Sequence, residues 1–507
     1  MSRQYITTAI DYPNAPPHMG HVLEKVLADV CARWMRLRGD EVRFQIGTDE
    51  HGIKIQQTAE KEKITPKELV DRNVPLFEDL YQRLGISSDV FMRTSDKKRH
   101  WPTVIALWEC LQDAGVLEKH TYTGLYCSGC ERFLTKKDLV DGLCEYHRKP
   151  PEEVQEENWF FTLSKETAWL KKLLKNDYKI IPTFREKETL ALIDQGLEDV
   201  SFSRPKSSLA WGIPVPDDEG QTMYVWCDAL TNYISGLGYF TDHEQKEYWD
   251  RATVTHVIGK DIARFHALIW PAMLKHAGVR TPDRLLIHGH LTSEGQKMSK
   301  STGNVVVPDD VLAKFGGNPD PLRFYLSHEV PVGNDGDFSW KRIEELYIGV
   351  LSNKIGNLLN RVLVLLQKDG GGFSLKDDKE MPKEISHVWK QYSEHMNAFD
   401  LSKAIGTVVA LSVSGNMDME KAKPWTLAGE ERMFVLGTLA EKLRHIALML
   451  LPFMPSTAQQ MSTQLGVEYA GEMLKNSFVV TEQMQAWGGM KQWTRVGNPA
   501  ILFAQLK

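Results

Sequence analysis

A chain of 507 residues, 42% hydrophobic and 25% charged, exceeds what one core organises and predicts about three domains. A formal net charge of −6 excludes blanket attraction to polyanions but leaves room for a local basic face. No apolar run approaches the roughly 18 residues of a membrane span, and the N-terminus, with Arg3 and Asp11, lacks a secretory pattern, so the expected address is the cytoplasm.

The first fifty residues read as strand, helix, strand. Tyr5 to Ile10 is rich in β-formers, and Pro13, Pro16 and Pro17 punctuate a loop. Leu23, Val26, Leu27, Val30, Trp34 and Leu37 then recur at helical spacing up to Gly39. His18-Met19-Gly20-His21 therefore opens a helix. Glu41 to Ile46 predicts the next strand, running into Gly47-Thr48-Asp49-Glu50-His51-Gly52. In a parallel sheet, strand carboxyl ends and helix N-termini share an edge that favours phosphate, which puts Tyr12, His18, His21 and Asp49 on one crevice. Histidines at a helix start are also at home as capping residues, and Asp49 as an ordinary N-cap. A bare backbone at Gly20, against which a base or ribose could lie, and the company of Glu50, His51 and Gly52 favour a site.

Residues 116–225 read as an insertion between two halves of that sheet. Cys127-Ser128-Gly129-Cys130 and Cys144-Glu145-Tyr146-His147 form two half-sites whose spacing suits tetrahedral zinc. All four positions are used, so such a metal is structural. Cys31, Cys110 and Cys227 are scattered, which fits a reducing compartment better than a disulfide framework.

The sheet resumes with a strand from Ala252 to Ile258, a turn Gly259-Lys260-Asp261 and a helix from Ile262 to His276. Arg284 to Leu291 leads through Thr292 to Gln296 into Lys297-Met298-Ser299-Lys300-Ser301. This cationic, glycine-bearing loop is suited to closing over a triphosphate; taken alone it is a solvated charged loop. From about Ser339 the pattern is helical: Leu346, Val350, Ile355, Leu358, Leu359, Val362 and Leu365, a break at Gly370-Gly371-Gly372, then periodic segments over 384–414 and 430–465.

His18-Met19-Gly20-His21 followed by Lys297-Met298-Ser299-Lys300-Ser301 resembles the paired motifs of class I aminoacyl-tRNA synthetases. Tyr12-Pro13-Asn14, Gly47 to Gly52, the single knuckle, Tyr224 to Tyr233 and Gly259-Lys260-Asp261 narrow the resemblance to the methionyl-tRNA synthetase family, bacterial type with one zinc knuckle, along the whole chain. Ala15 departs from the glycine frequent there. The insertion is too short for the editing domain of the isoleucine, leucine and valine relatives.

The resemblance implies an α/β fold: a Rossmann-type parallel-sheet catalytic domain split by the zinc-knuckle insertion, followed by an all-α anticodon-binding bundle. Its parts are residues 1–115, 116–225, 226–290, a motif loop and stem-contact region 291–338, and a bundle with tail 339–507. The implied activity is ATP-dependent activation of L-methionine and its transfer to tRNA(Met). His18, His21, Lys297 and Lys300 are then catalytic, with Gly20, Gly259 and Asp261 also on ATP. Ile10, Tyr12, Asp49, Trp226, Tyr233, Ile262 and His266 surround methionine, with the Tyr233 hydroxyl near sulfur and Asp49 on the ammonium. Cys127, Cys130, Cys144 and His147 hold one structural Zn2+, Mg2+ accompanies ATP, and Asn357, Arg361 and Trp425 read the anticodon. The chain is expected to be a monomer without membrane contact.

Overall fold

The computed structural model describes residues 2–127, 132–134, 139–145, 148–241, 245–298, 304–375 and 380–506. Its organising element is a six-stranded parallel sheet in the order Val90–Arg93, Glu41–Thr48, Arg3–Thr8, Thr253–Gly259, Arg284–His288, Lys179–Ile181. The two central strands are buried along nearly their whole length, as expected of strands covered on both faces by helices. The chain builds outward from Arg3–Thr8 in one direction and from Thr253–Gly259 in the other. The switch point between them is where such sheets open a crevice at their carboxyl edge.

Several expectations shift in detail. The first strand ends at Thr8, and after a break Asp11 pairs again in parallel with Thr48, its N–H donating to the Gly47 carbonyl. The segment expected as an insertion, 116–225, is not wholly outside the sheet: Lys179–Ile181 pairs with Arg284–Leu286 and supplies an edge strand. Three residues are too few to declare a period. The rest of that segment contains an antiparallel sheet in which Leu117–Cys127 pairs with Glu152–Phe161 and with Arg132–Leu134.

The helix expected from Ile262 is broken into a 3-10 turn Lys260–Ile262, a π turn Phe265–Ile269 and an α-helix Trp270–His276. Pro271 has no N–H to continue the ordinary ladder, and the Trp270 N–H reaches back five residues to the Phe265 carbonyl. In the C-terminal third, helices cover Trp340–Leu346, Asn357–Lys368, Met381–Asn397, Leu401–Ala422, Gly429–Leu450 and Pro455–Leu465. The periodic run expected over 384–414 divides at Phe399, whose φ of 59° ends one helix while the Asp400 side chain caps the next.

One hydrophobic cluster runs from the helix Met19–Leu37 through Phe324 and Leu326 to Leu358, Leu443 and Phe453, so the helical third shares its core with the sheet domain. Fully buried Arg323 reinforces the joint. It pairs with Asp29 at 2.6 Å and donates to the carbonyls of Phe453 (2.9 Å), Pro452 (3.0 Å) and Leu84 (3.3 Å). No helix among the described residues is long and apolar enough to cross a membrane.

Candidate active site

The helix Met19–Leu37 starts at the switch point, and its first turn is closed by its own histidines. The Gly20 N–H donates to His18 Nδ1 at 3.1 Å, and the His18 N–H donates to His21 Nδ1 at 3.1 Å, a reciprocal capping box. The rings stack, with centroids 3.7 Å apart and planes 15° from parallel. The capping reading of these residues therefore holds. A backbone N–H can only donate, so each Nδ1 presents its lone pair. In the neutral ring the proton then sits on Nε2, leaving two N–H donors for an anion. Burial lowers the pKa of His18 and, further, of His21, which keeps both rings neutral without a ligand.

A Cβ at Gly20 would stand 3.0 Å from His18 Cε1 and 3.1 Å from Nδ1, so glycine also makes room for the folded-back imidazole. At Gly259 a Cβ would fall 2.9 Å from Asp261 Oδ1. Glycine thus lets Asp261 fold over the turn that faces the histidine helix across the switch point. Asp261 Oδ1 also lies 3.4 Å from His290 Nε2.

The second group of predicted residues lines a mixed aromatic wall. Trp226 stacks on Phe265 at 3.7 Å and 9°, and presents its edge to His266. Tyr233 and His266 are fully buried, with the tyrosine oxygen 2.6 Å from His266 Nε2. His266 Nδ1 lies 3.0 Å from the Ile262 carbonyl, which only accepts, so the ring proton is on Nδ1 and Tyr233 donates to Nε2. Burial brings His266 down to about 4, so this arrangement persists at neutral pH. The Tyr233 hydroxyl, expected near sulfur, thereby gives its proton to His266. The π turn aims the His266 side chain inward, in keeping with the frequent use of such turns at sites. Tyr12 and Ile262 are half-buried against the same cluster, and the Tyr12 hydroxyl donates to the His51 carbonyl at 2.7 Å. Ile10 lies against Gly47, where any Cβ would meet Ile10 Cγ2 at 3.0 Å and the Met92 carbonyl at 2.2 Å. Asp49 is buried and its N–H donates to the Asp11 carbonyl at 2.8 Å.

Sequence reasoning missed the support beneath this wall. Asp228 is buried with His51 Nδ1 on one carboxylate oxygen and His100 Nε2 on the other, both at 2.6 Å. Burial works against its charge, but the two imidazoles outweigh it and bring the carboxyl down to about 2. This triad ties the helix Val225–Ser235, which carries Trp226 and Tyr233, to the loop carrying Asp49. Phe265, beneath Trp226, was likewise read only as part of a helix. Asp228 lies inside a quoted motif, but nothing in the sequence sets it apart from an ordinary solvated helix carboxylate.

Of the zinc candidates, Cys127 and Cys144 are buried in one small cluster with Leu134. Cys130 and His147 lie outside the described residues, as do Lys300 and the side chain of Lys297. Two buried thiol-bearing residues, brought together from two separate antiparallel strand pairs, suit a soft divalent metal. We expect purified protein to contain about one equivalent of zinc per chain, as one complete four-ligand site requires. The Cys127→Ser/Cys144→Ser double variant is expected to lose it; full metal content in that variant would refute the assignment.

In the helical third, Asn357 is exposed and Arg361 follows one turn later on the same face. The Arg361 guanidinium stands 5.2 Å from the centre of the Trp425 ring and donates to Glu420 at 2.7 Å. Trp425, on the 3-10 turn Pro424–Thr426, is 44% exposed, which excludes the alternative of a buried core tryptophan.

Comparison with known proteins gives a consistent result. The family described as tRNA synthetases class I (M) matches residues 4–150 and 135–363, and the anticodon binding domain of methionyl tRNA ligase matches 369–507. The methionine–tRNA ligase of Caldanaerobacter subterraneus is 39% identical over 99% of this chain and 78% of its own length. That of Brucella suis is 40% identical over 92% and 93%. Among solved structures, Mycobacterium tuberculosis methionyl-tRNA synthetase in complex with methionyl-adenylate superposes with a TM-score of 0.90 at 33% identity, covering 100% of both chains.

Proposed function

The chain belongs to the methionyl-tRNA synthetase family of class I tRNA synthetases, and from this premise we infer that it activates L-methionine with ATP and transfers it to tRNA(Met). The observation that carries the reading is the pair of stacked, neutral histidines offering two Nε2–H donors at the switch point of the sheet.

A methionine carboxylate oxygen attacks the α-phosphorus of ATP, and the bond from that phosphorus to the bridging oxygen breaks to release pyrophosphate. The attacking group is already ionised at neutral pH, so the step needs alignment and charge stabilisation rather than a base. His18 and His21 hold phosphate oxygens through Nε2–H, Lys297 and Lys300 add positive charge, and Gly20, Gly259 and Asp261 bound the nucleoside side. Bound with ATP, Mg2+ supplies further neutralisation of phosphate charge. Ile10, Tyr12, Trp226, Tyr233, Ile262 and His266 enclose the thioether and Asp49 pairs with the ammonium; aromatic walls suit a polarizable sulfur. A ribose hydroxyl at the tRNA end then attacks the activated carbonyl, and AMP leaves.

Asn357, Arg361 and Trp425 are proposed to read the anticodon, Trp425 by stacking and the other two at base edges. Their exposure on one face supports this. We further propose that the protein works as a cytoplasmic monomer with one structural zinc.

The test is a panel of amino acids in ATP–pyrophosphate exchange, followed by aminoacylation of methionine tRNA. Exchange with methionine alone is the expected result, and exchange driven equally by another amino acid would overturn the reading. Trp425→Ala is expected to leave exchange near wild type and to lower aminoacylation efficiency about ten- to a hundredfold, the worth of one stacked base. Equal loss of both reactions would remove Trp425 from the RNA-reading face.

A further inference from the structure

Lys25 is fully buried on the helix Met19–Leu37, one turn after His21, and no step of activation uses it. Its ammonium has three N–H groups and three acceptors: Asp11 Oδ1 at 2.8 Å, Glu24 Oε1 at 2.9 Å and the Ala9 carbonyl at 2.9 Å. The other oxygen of Asp11 accepts from the Tyr81 hydroxyl at 2.5 Å, and Glu24 Oε2 lies 3.1 Å from His288 Nε2. A buried ammonium is expensive unless every proton is matched, and here every one is.

Two of the three acceptors belong to Ala9 and Asp11, which flank Ile10 and precede Tyr12. The main chain of Asp11 is itself fixed, its N–H donating to the Gly47 carbonyl at 2.9 Å and its carbonyl accepting from Asp49 at 2.8 Å. Lys25 therefore joins the segment bearing Ile10, Tyr12 and the anchor of Asp49 to the helix whose first turn holds His18 and His21. A carboxylate placed by the first group must meet a phosphorus held by the second, and in-line attack tolerates little error in that distance.

We propose that Lys25, acting through Asp11 and the Ala9 carbonyl, is a positioning residue that sets the amino-acid subsite against the phosphate subsite. This rests on the assignment of Ile10, Tyr12 and Asp49 to methionine given above. It predicts a kinetic role separable from the contribution of the ion pair to folding. Lys25→Met strands the Asp11 and Glu24 carboxylates and destabilises the fold, whereas Asp11→Asn leaves the Lys25–Glu24 pair matched while weakening the tie to the Ile10 segment.

The experiment compares Lys25→Met, the near-isosteric Asp11→Asn, and the double variant in methionine-dependent ATP–pyrophosphate exchange, with melting temperature measured alongside. Each single variant is expected to raise the KM for methionine tenfold or more and to lower kcat, with the KM for ATP within twofold of wild type. The double variant, in which Asp11 no longer carries a stranded charge and Glu24 keeps only His288, is expected to regain part of the melting temperature lost in Lys25→Met while the KM for methionine stays raised. Recovery of KM together with melting temperature would overturn the proposal, leaving Lys25 a purely structural residue. Tyr12→Ala is the control for the subsite. If it raises the KM for methionine while the Lys25 and Asp11 variants do not, only the positioning role fails. If Tyr12→Ala leaves that KM unchanged, the assignment on which the proposal rests fails with it.

Discussion

Lys300→Ala is expected to slow methionyl-adenylate formation by about two to three orders of magnitude, the usual consequence of deleting one preorganised donor to developing charge. Methionine binding should change little, because the lysine acts on charge that grows between ground and transition state. The assignment comes from the motif, since Lys300 lies outside the described residues. The histidines bear on the magnitude. His18 and His21 are neutral donors whose Nδ1 atoms are tied up in capping, so among the protein groups proposed to meet the phosphates full positive charge falls to the lysines. Single-turnover rates and equilibrium binding separate the two effects. A loss confined to methionine affinity would be the wrong result for a residue in this role.

Arg323→Met should be the most damaging single change to the fold away from the site, at about 3–5 kcal/mol, as for one partner removed from a buried ion pair. The loss arises from the Asp29 pair and from the carbonyls of Phe453, Pro452 and Leu84 that lose their donor. Calorimetry or denaturant unfolding measures it. The exposed Lys67–Asp71 pair provides the contrast, since breaking it should leave stability essentially unchanged. The pH dependence has a definite sign. Burial opposes ionisation of Asp29, but Arg33 and Arg323 hold its carboxyl well below the usual range. Its contribution is present above the unfolded value of about 4 and is lost as pH falls. The acid-side loss should be smaller in Arg323→Met, and an unchanged slope would mean that Asp29 gains little from Arg323.

The chain order of strand, glycine-bearing turn and helix was legible wherever apolar residues kept a period over ten or more positions, as in Met19–Leu37. It failed where local chemistry overrides period. Lys179–Ile181 is too short to show one, and Pro271 converts an expected plain helix into a π turn. The side chains proposed to touch substrate were assigned through motif resemblance. Their supports were not, because Asp228 between His51 and His100, and Lys25 between Asp11 and Glu24, join residues as far as 177 positions apart. Charged residues in helices are ordinarily solvated, so neither announces its burial. Gly20 carries a reason the sequence did not show, since a Cβ there would press on the folded-back His18 ring.

The helix Met19–Leu37 is also a lever. At one end its cap is His18. Sixteen residues on (34 − 18), Trp34 meets Tyr392 edge to face at 5.4 Å and donates to Asn397 at 3.0 Å, both on the helical third. Sixteen residues of α-helix span about 24 Å. A tilt of about 2.5° about the Trp34 end therefore swings the imidazoles by roughly 1 Å, a misplacement on the scale that costs about a hundredfold in rate. Strain applied to the helical third, which carries the residues proposed to read the anticodon, has a stiff arm ending at the histidines proposed to hold the phosphates, and small rotations there would be amplified into the distance that matters most to the chemistry.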